Sequence, residues 1–263
     1  MDPADAALGA RFLRDGYVIQ SVEDNSLLER IQAAVTMQAA RHLGLAEPGP
    51  AAAFLNGIHE QVSVGDLNAL RLAVHNGVNA CPWLREAYFG LARRSIEALV
   101  GNELAMQRRV NLSIQLPADD SSLLPVHADV WSGDSPFEIV VWLPLVDCYR
   151  TKSMYLLPPG PDRAMTARLH EFADRSAEDL FRAIEPDVEW IDIRFGEVLL
   201  FAQSLMHGNR INAEAESRWS MNCRFKSLFS PYADKRLGEF FEPITLRPAT
   251  RIGMDYQLPG GFA

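Results

Sequence analysis

The sequence predicts a mainly β protein with a helical buttress, a double-stranded β-helix of the cupin-like jelly-roll type. Three observations predict it. Apolar residues recur at helical spacing near the N-terminus, as in Leu27, Leu28, Ile31, Ala34 and Val35. From about residue 104 onward, short apolar and β-branched runs bounded by Gly, Pro and Asn take over, a pattern of strands joined by turns. About eight such runs behind a helical front suit a jelly roll whose mouth holds a site.

Taken in order, residues 4–14 and 24–43 read as helices around a short strand at 17–21. Glu47 to Ala53 is a Pro/Ala-rich loop, and 83–100 is an amphipathic helix carrying Leu84, Tyr88, Leu91, Ile96 and Val100. Strands are expected at about 104–115, 127–131, 137–146, 153–158, 187–193, 197–203, 206–211 and 217–229, with a helix inserted at 176–184. Residues 235–263, with several Pro and Gly, read as a C-terminal wrap. The 263 residues suit one domain: a mostly helical front at 1–103, a jelly-roll core at 104–230 and a wrap at 231–263.

Composition narrows the partners. Hydrophobic content of 48% and charged content of 22% are those of an ordinary globular chain. The net charge of −9 argues against nucleic acid or a membrane surface, which want a basic face. A local Arg cluster can still oppose that sign, so a phosphorylated or nucleotide-linked small molecule remains compatible. The cysteines Cys81, Cys148 and Cys223 are far apart with no CxxC, as expected in a reducing cytosol. The opening Met1-Asp2-Pro3-Ala4-Asp5 lacks a cationic leader, and no apolar run reaches membrane-span length. The expected location is cytoplasmic.

The chemistry is carried by His127-Ala128-Asp129, answered by His207. A His and a carboxylate two residues apart on a strand point to one side of the pleat, so both can touch one metal ion. A second His from a distant strand completes a set of two imidazoles and one carboxylate. That set leaves half an octahedron open, which suits non-haem Fe(II) binding a cosubstrate and O2. Arg218 lies eleven positions after His207, at the start of the last predicted strand. An Arg inside a barrel needs an anion. The distal carboxylate of 2-oxoglutarate supplies one; a nearby Glu214 or Glu216 is the alternative. Arg224 shares the strand parity of Arg218 and is a candidate for substrate contact or for support of the metal ligands.

Other polar residues fall near this centre. Asn111, Ser113 and Gln115 alternate along one strand and share a face, turned either to the cosubstrate and substrate or to solvent. Asn209 and Asn212 either orient the cosubstrate or close a turn. Trp131 and Asp134 follow the metal triplet and suit a sugar ring and its hydroxyls, or else core packing and a turn cap.

With His127-x-Asp129, His207-Gly208, Asn212 and Arg218, and the opening Phe12 to Ile19, the chain resembles the phytanoyl-CoA hydroxylase-like Fe(II)/2-oxoglutarate dioxygenases. The stretches His127 to Pro159 and Ser217 to Thr250 are similar to a branch found in carbohydrate and aminoglycoside biosynthesis clusters. One segment departs from the family. Where relatives carry a Gly-rich piece ending Pro-Gly-Ser-His, this chain reads Thr151 to Gly160, TKSMYLLPPG. The resemblance implies Fe(II) on His127, Asp129 and His207, with 2-oxoglutarate held by Arg218. It also implies oxidation by O2 of a small, carbohydrate-derived substrate. The competing reading is a cupin-like metal isomerase or hydrolase acting on a sugar without 2-oxoglutarate.

Overall fold

The computed structural model describes residues 2–260. Helices come first, as the apolar spacing dictates. α1 (Pro3–Asp15) is capped by the Asp2 side chain and stops at Gly16, whose φ of 77° is left-handed and favours a residue without Cβ. β1 (Tyr17–Ser21) leads to α2 (Asn25–His42), capped by Asp24. Then come α3 (Ala51–Asn56), α4 (Val64–Asn79), α5 (Leu84–Gly90) and α6 (Arg93–Val100).

Three helical features differ from the sequence expectation. The Pro/Ala-rich stretch Glu47 to Ala53 is a loop only up to Pro50, which supplies the N-cap of α3, and its alanines start that helix. α4 occupies a stretch to which no element was assigned. Its buried side is narrow (Leu67, Leu70, Val74, Val78), and Gly65 and Gly77 dilute the helical signal. The helix expected at 83–100 is two helices, because Ala92 leaves the helical region with φ −144° and ψ 27°.

The β part is β2 (Leu104–Gln107), β3 (Asn111–Gln115), β4 (Glu138–Pro144), β5 (Tyr155–Leu156), β6 (Glu189–Trp190), β7 (Glu197–Ala202), β8 (His207–Gly208), β9 (Arg218–Ser227) and β10 (Phe241–Thr245). Helices α7 (Pro159–Ala167) and α8 (Ala177–Ile184) interrupt it, and α9 (Pro248–Asp255) follows. The expected strand 104–115 is split at Arg108–Val110. The expected strands 153–158, 187–193 and 206–211 each shrink to two residues, and the wrap contains β10 and α9. Residues 261–263 of that wrap lie outside the described range.

The larger sheet runs β1-β7-β4-β9-β2-β10, with β3 beside β2 on the same edge of β9; the smaller runs β6-β5-β8. Every ladder is antiparallel. Two such sheets behind a helical buttress are the predicted jelly roll.

β9 shows how the sequence builds it. Trp219, Met221, Cys223 and Phe225 alternate with Arg218, Ser220, Asn222 and Arg224. The apolar set is fully buried in the main core, where each large side chain contributes about 1.5–3 kcal/mol. Arg218, Asn222 and Arg224 of the other set line the cavity that also holds His127, Asp129 and His207. The helical front is tied to this sheet by Tyr88 Oη donating to Val141 O (2.9 Å) and Trp219 Nε1 donating to Leu55 O (2.9 Å). Among the described residues, no helix is long and apolar enough to cross a membrane, and Cys81, Cys148 and Cys223 are unpaired.

Candidate metal centre and its cavity

The expected strand at 127–131 is not formed. Asp129 instead opens a 3-10 turn, Asp129–Ser132. Only Ala128 is extended between the two side chains, with φ −119° and ψ 136°, and that single extended residue keeps His127 and Asp129 on one side. His127 and His207 exchange both backbone hydrogen bonds, at 3.0 and 2.8 Å. Directly opposed residues of such a pair project their side chains together, and the ring centroids are 4.2 Å apart. Asp129 N donates to Gln203 O at 3.0 Å, which fixes the turn to the end of β7.

The tautomers follow from the backbone. His127 Nδ1 lies 2.8 Å from Pro125 O, and His207 Nδ1 lies 2.8 Å from Leu205 O. A carbonyl only accepts, so each Nδ1 carries the proton and each Nε2 keeps its lone pair. Asp129 Oδ1 lies 3.5 Å from His127 Nε2 and 3.8 Å from His207 Nε2. Among the described residues these three side chains form the group able to hold a metal ion, with donor atoms all within 4.8 Å of one another. Burial, with His127 close beside it, pushes the His207 pKa down to about 4, so its imidazole is neutral at pH 7. Burial would raise the Asp129 carboxyl, but the adjoining His127 and the Arg224 charge outweigh it and hold the group below the usual carboxylate range.

The second carboxylate oxygen is already engaged. Arg224 Nη2 lies 2.7 Å from Asp129 Oδ2, and its Nε lies 3.1 Å from Asp134 Oδ1. Gln203 Oε1 and Gln107 Oε1 accept from the same guanidinium at 3.0 and 3.3 Å, and Lys235 pairs with Asp134. Arg224 and Asp134 therefore support the Asp129 side chain from the cavity wall. Trp131 lies on the 3-10 turn, which breaks the strand alternation; its side chain is 45% exposed and outside the cavity lining.

The cavity measures about 440 Å³ and takes in His127, Asp129, His207 and Arg218. Arg218 is buried and, among the described residues, meets no acid. Its Nη1 donates to Ser153 O (3.2 Å) and its Nη2 to Ser113 Oγ (3.0 Å), while Nε has no partner. The acids weighed as its partners are engaged elsewhere: Glu216 with Lys152 at 2.7 Å, and Glu214 with Thr151. Burial lowers the Arg218 pKa to about 10, which leaves it charged at neutral pH. The buried hydroxyls of Ser153 and Ser220 also lack partners.

Asn111 and Ser113 line this cavity. Gln115 is fully buried outside the lining and donates to Arg210 O at 2.5 Å. Asn209 lines the cavity while clamping the preceding loop: its Oδ1 accepts from Leu124 N (2.6 Å) and its Nδ2 donates to Ser122 O (3.2 Å). Asn212 closes the turn before β9 through Glu214 N and Glu216 O. The sequence reading missed Ser220 and Asn222, although both share the parity of Arg218. It also missed Arg71 and Lys235 on the cavity wall.

Gly208 packs where no side chain fits. A Cβ there would sit 2.6 Å from Tyr155 Oη and 2.7 Å from Leu124 O. Gly208→Ala is expected to lower stability by about 1–3 kcal/mol and to weaken metal binding by displacing the neighbouring His207. Chemical denaturation and a metal titration check both effects, and an unchanged midpoint would contradict this packing.

No protein-family model matches the chain, and no curated protein sequence does. Solved structures do match its fold. The non-haem monooxygenase ThoJ, as a nickel complex, aligns over 91% of this chain and 84% of its own, with a TM-score of 0.53 and 18% identity. EctD from S. alaskensis, solved with 2-oxoglutarate and 5-hydroxyectoine, aligns over 88% of this chain and 80% of its own, with a TM-score of 0.56 and 16% identity. SnoK, a non-haem alpha-ketoglutarate-dependent carbocyclase from nogalamycin biosynthesis, aligns over 91% and 96%, with a TM-score of 0.55 and 16% identity. The chain has the fold of these proteins.

Proposed function

We propose that the protein is an Fe(II)- and 2-oxoglutarate-dependent dioxygenase of the phytanoyl-CoA hydroxylase-like type. Its substrate in this reading is a small polar biosynthetic intermediate, sugar-derived or an aminocyclitol, oxidised at a C–H bond. The observation that carries the reading is one cavity holding three convergent metal donors and a buried Arg218 with no acid. A buried guanidinium without a counter-ion costs several kcal/mol, and a dicarboxylate cosubstrate supplies the missing charge. Two proteins of the same fold support the reading: EctD was solved with 2-oxoglutarate, and SnoK is an alpha-ketoglutarate-dependent carbocyclase from nogalamycin biosynthesis.

The residues fit both groups. Two neutral imidazoles and one carboxylate oxygen suit a non-haem Fe(II) with positions left open, and His127, His207 and Asp129 Oδ1 would hold it. When bound, iron with 2-oxoglutarate and O2 supplies oxidation of a C–H bond, with succinate and CO2 as coproducts. The chain does the rest. Pro125 O and Leu205 O fix the imidazole tautomers, and Arg224 leaves Asp129 one free oxygen. Arg218, with the Ser113 and Ser220 hydroxyls on the same face, would take the distal carboxylate through a two-pronged hydrogen bond. Val140, Trp142 and Phe201 give the cavity an apolar wall that limits water. Asn111, Asn222, Ser121 and Ser122 offer hydrogen bonds that suit hydroxyl groups.

In this reading residues 1–263 work as one domain, in a cytosol that keeps the three thiols reduced. A metal isomerase or hydrolase would use the same three donors but would leave Arg218 without an anion. The test is succinate formation from 2-oxoglutarate by iron-reconstituted protein against a panel of sugar nucleotides and aminocyclitols. Turnover stimulated by one of them is expected. Iron-loaded protein that neither binds 2-oxoglutarate nor forms succinate would overturn the proposal in favour of the isomerase or hydrolase.

A further inference from the structure

The cations around the cavity divide into two groups. Arg224 and Lys235 meet Asp129 and Asp134, and Arg218 is buried. Arg71 of α4 also lines the cavity, but it is exposed and its Nη2 donates only to Asn68 Oδ1, at 2.6 Å. His75 follows one helical turn later on the same face of α4. Arg109, from the turn between β2 and β3, donates to Asn76 Oδ1 at 2.7 Å. Neither Arg71 nor Arg109 has an ion pair among the described residues. The three groups share one patch: His75 is held below its ordinary pKa by burial and then by the charges of Arg109 and Arg71, with no carboxylate acting on it.

A second cavity, about 470 Å³, opens beside this patch. Its walls include His75, Gln107, Arg109 and Asn111. Asn111 lines both cavities, so the patch flanks the border between them. Two acids, Glu239 and Glu242, line the same cavity. Glu242 is neutralised by Arg108 (2.8 Å) and Arg85 (3.2 Å). Two arginines that make no ion pair among the described residues, at the border of two cavities, are unexpected in a chain of net charge −9, because like charges repel one another unless an anion visits.

We propose that Arg71, His75 and Arg109 form a subsite for a phosphoryl group of the substrate, at the opposite end from the C–H bond that is oxidised. The inference rests on the oxygenase reading for its account of the first cavity. A phosphate monoester carries close to two negative charges and three acceptor oxygens. That matches two guanidinium forks arriving from separate elements together with an imidazole, whereas a carboxylate fills a single fork. A sugar phosphate would then lie with its ring beside Asn111 and Asn222 and its phosphate at the rim.

Calorimetric titration of glucose 1-phosphate into the full-length protein tests this, with and without Mn(II) and 2-oxoglutarate. Saturable binding is expected, with none for glucose. The double variant Arg71→Gln/Arg109→Gln should weaken it at least about tenfold, and Arg218→Met should leave it intact. Both substituted arginines of the double variant are exposed, so the fold is retained. Equal binding by the double variant, loss of binding in Arg218→Met, equal affinity for glucuronate, or no saturable binding of glucose 1-phosphate would each overturn the subsite. Retained glucose 1-phosphate binding in protein that takes neither metal nor 2-oxoglutarate would support the subsite and refute only the oxygenase reading.

Discussion

Arg218→Met is expected to remove 2-oxoglutarate binding at ordinary concentrations while leaving the fold as stable as before, or more so. The two effects have one cause. Arg218 is buried, donates to Ser153 O and Ser113 Oγ, and has no acid partner among the described residues. Truncating one member of a buried, hydrogen-bonded charge pair costs about 2–5 kcal/mol. At 1.4 kcal/mol per tenfold, that is roughly 30- to 4,000-fold in cosubstrate affinity. Without cosubstrate, however, the wild-type cation sits uncompensated, and an apolar side chain of similar length relieves that cost. Saturating 2-oxoglutarate should therefore raise the melting temperature of the wild type and not of the variant. Arg218→Lys keeps the charge but loses the fork, so it should fall between the two. The binding side is read from the visible charge-transfer band of the anaerobic Fe(II) protein titrated with 2-oxoglutarate. A variant that binds within about threefold of wild type would remove Arg218 from the anchor role.

Asp129→Ala is expected to abolish turnover through loss of the metal. Asp129 Oδ1 is the one carboxylate atom facing both imidazoles, and no other acid joins the three donors among the described residues. Removing a group that only orients a ligand typically costs 10- to 100-fold in metal affinity or activity, so removing the ligand itself should exceed about 100-fold. Asp134→Asn is the matched comparison. It disturbs the Arg224 bridge that holds Asp129 Oδ2 but leaves the three donors in place, and an intermediate loss in the 10- to 100-fold range is expected. Mn(II) affinity, succinate formation and a melting curve together separate loss of metal from loss of fold. Wild-type metal affinity in Asp129→Ala would mean that the ion, if any, binds elsewhere.

The donor triplet was legible because its spacing needs little structure. His127 and Asp129 converge across a single extended residue, Ala128, even though the strand expected there is a 3-10 turn. Trp131 shows the limit of that argument. It was expected to meet a sugar ring because it follows the triplet, but the 3-10 turn leaves it 45% exposed and outside the cavity lining. Parity also served on β9, where Arg218 and Arg224 both face the cavity. It did not reveal that Arg224 reaches Asp129 and Asp134, since an ion pair between segments so far apart in sequence depends on how the sheet folds over.

Alone, the sequence determined the jelly-roll class, the helical front, the His-x-Asp triplet with its distant His207, and an inward arginine on the last long strand. These follow from periodicity and short-range geometry, which act within a few residues. Only the tertiary structure decided which acids were free to meet Arg218, which oxygen of Asp129 faces the imidazoles, and that Arg71, His75 and Arg109 gather at the border of the cavity. Those outcomes turn on distances between residues tens to more than a hundred positions apart. The balance of a buried charge is settled by the neighbours that the fold brings to it.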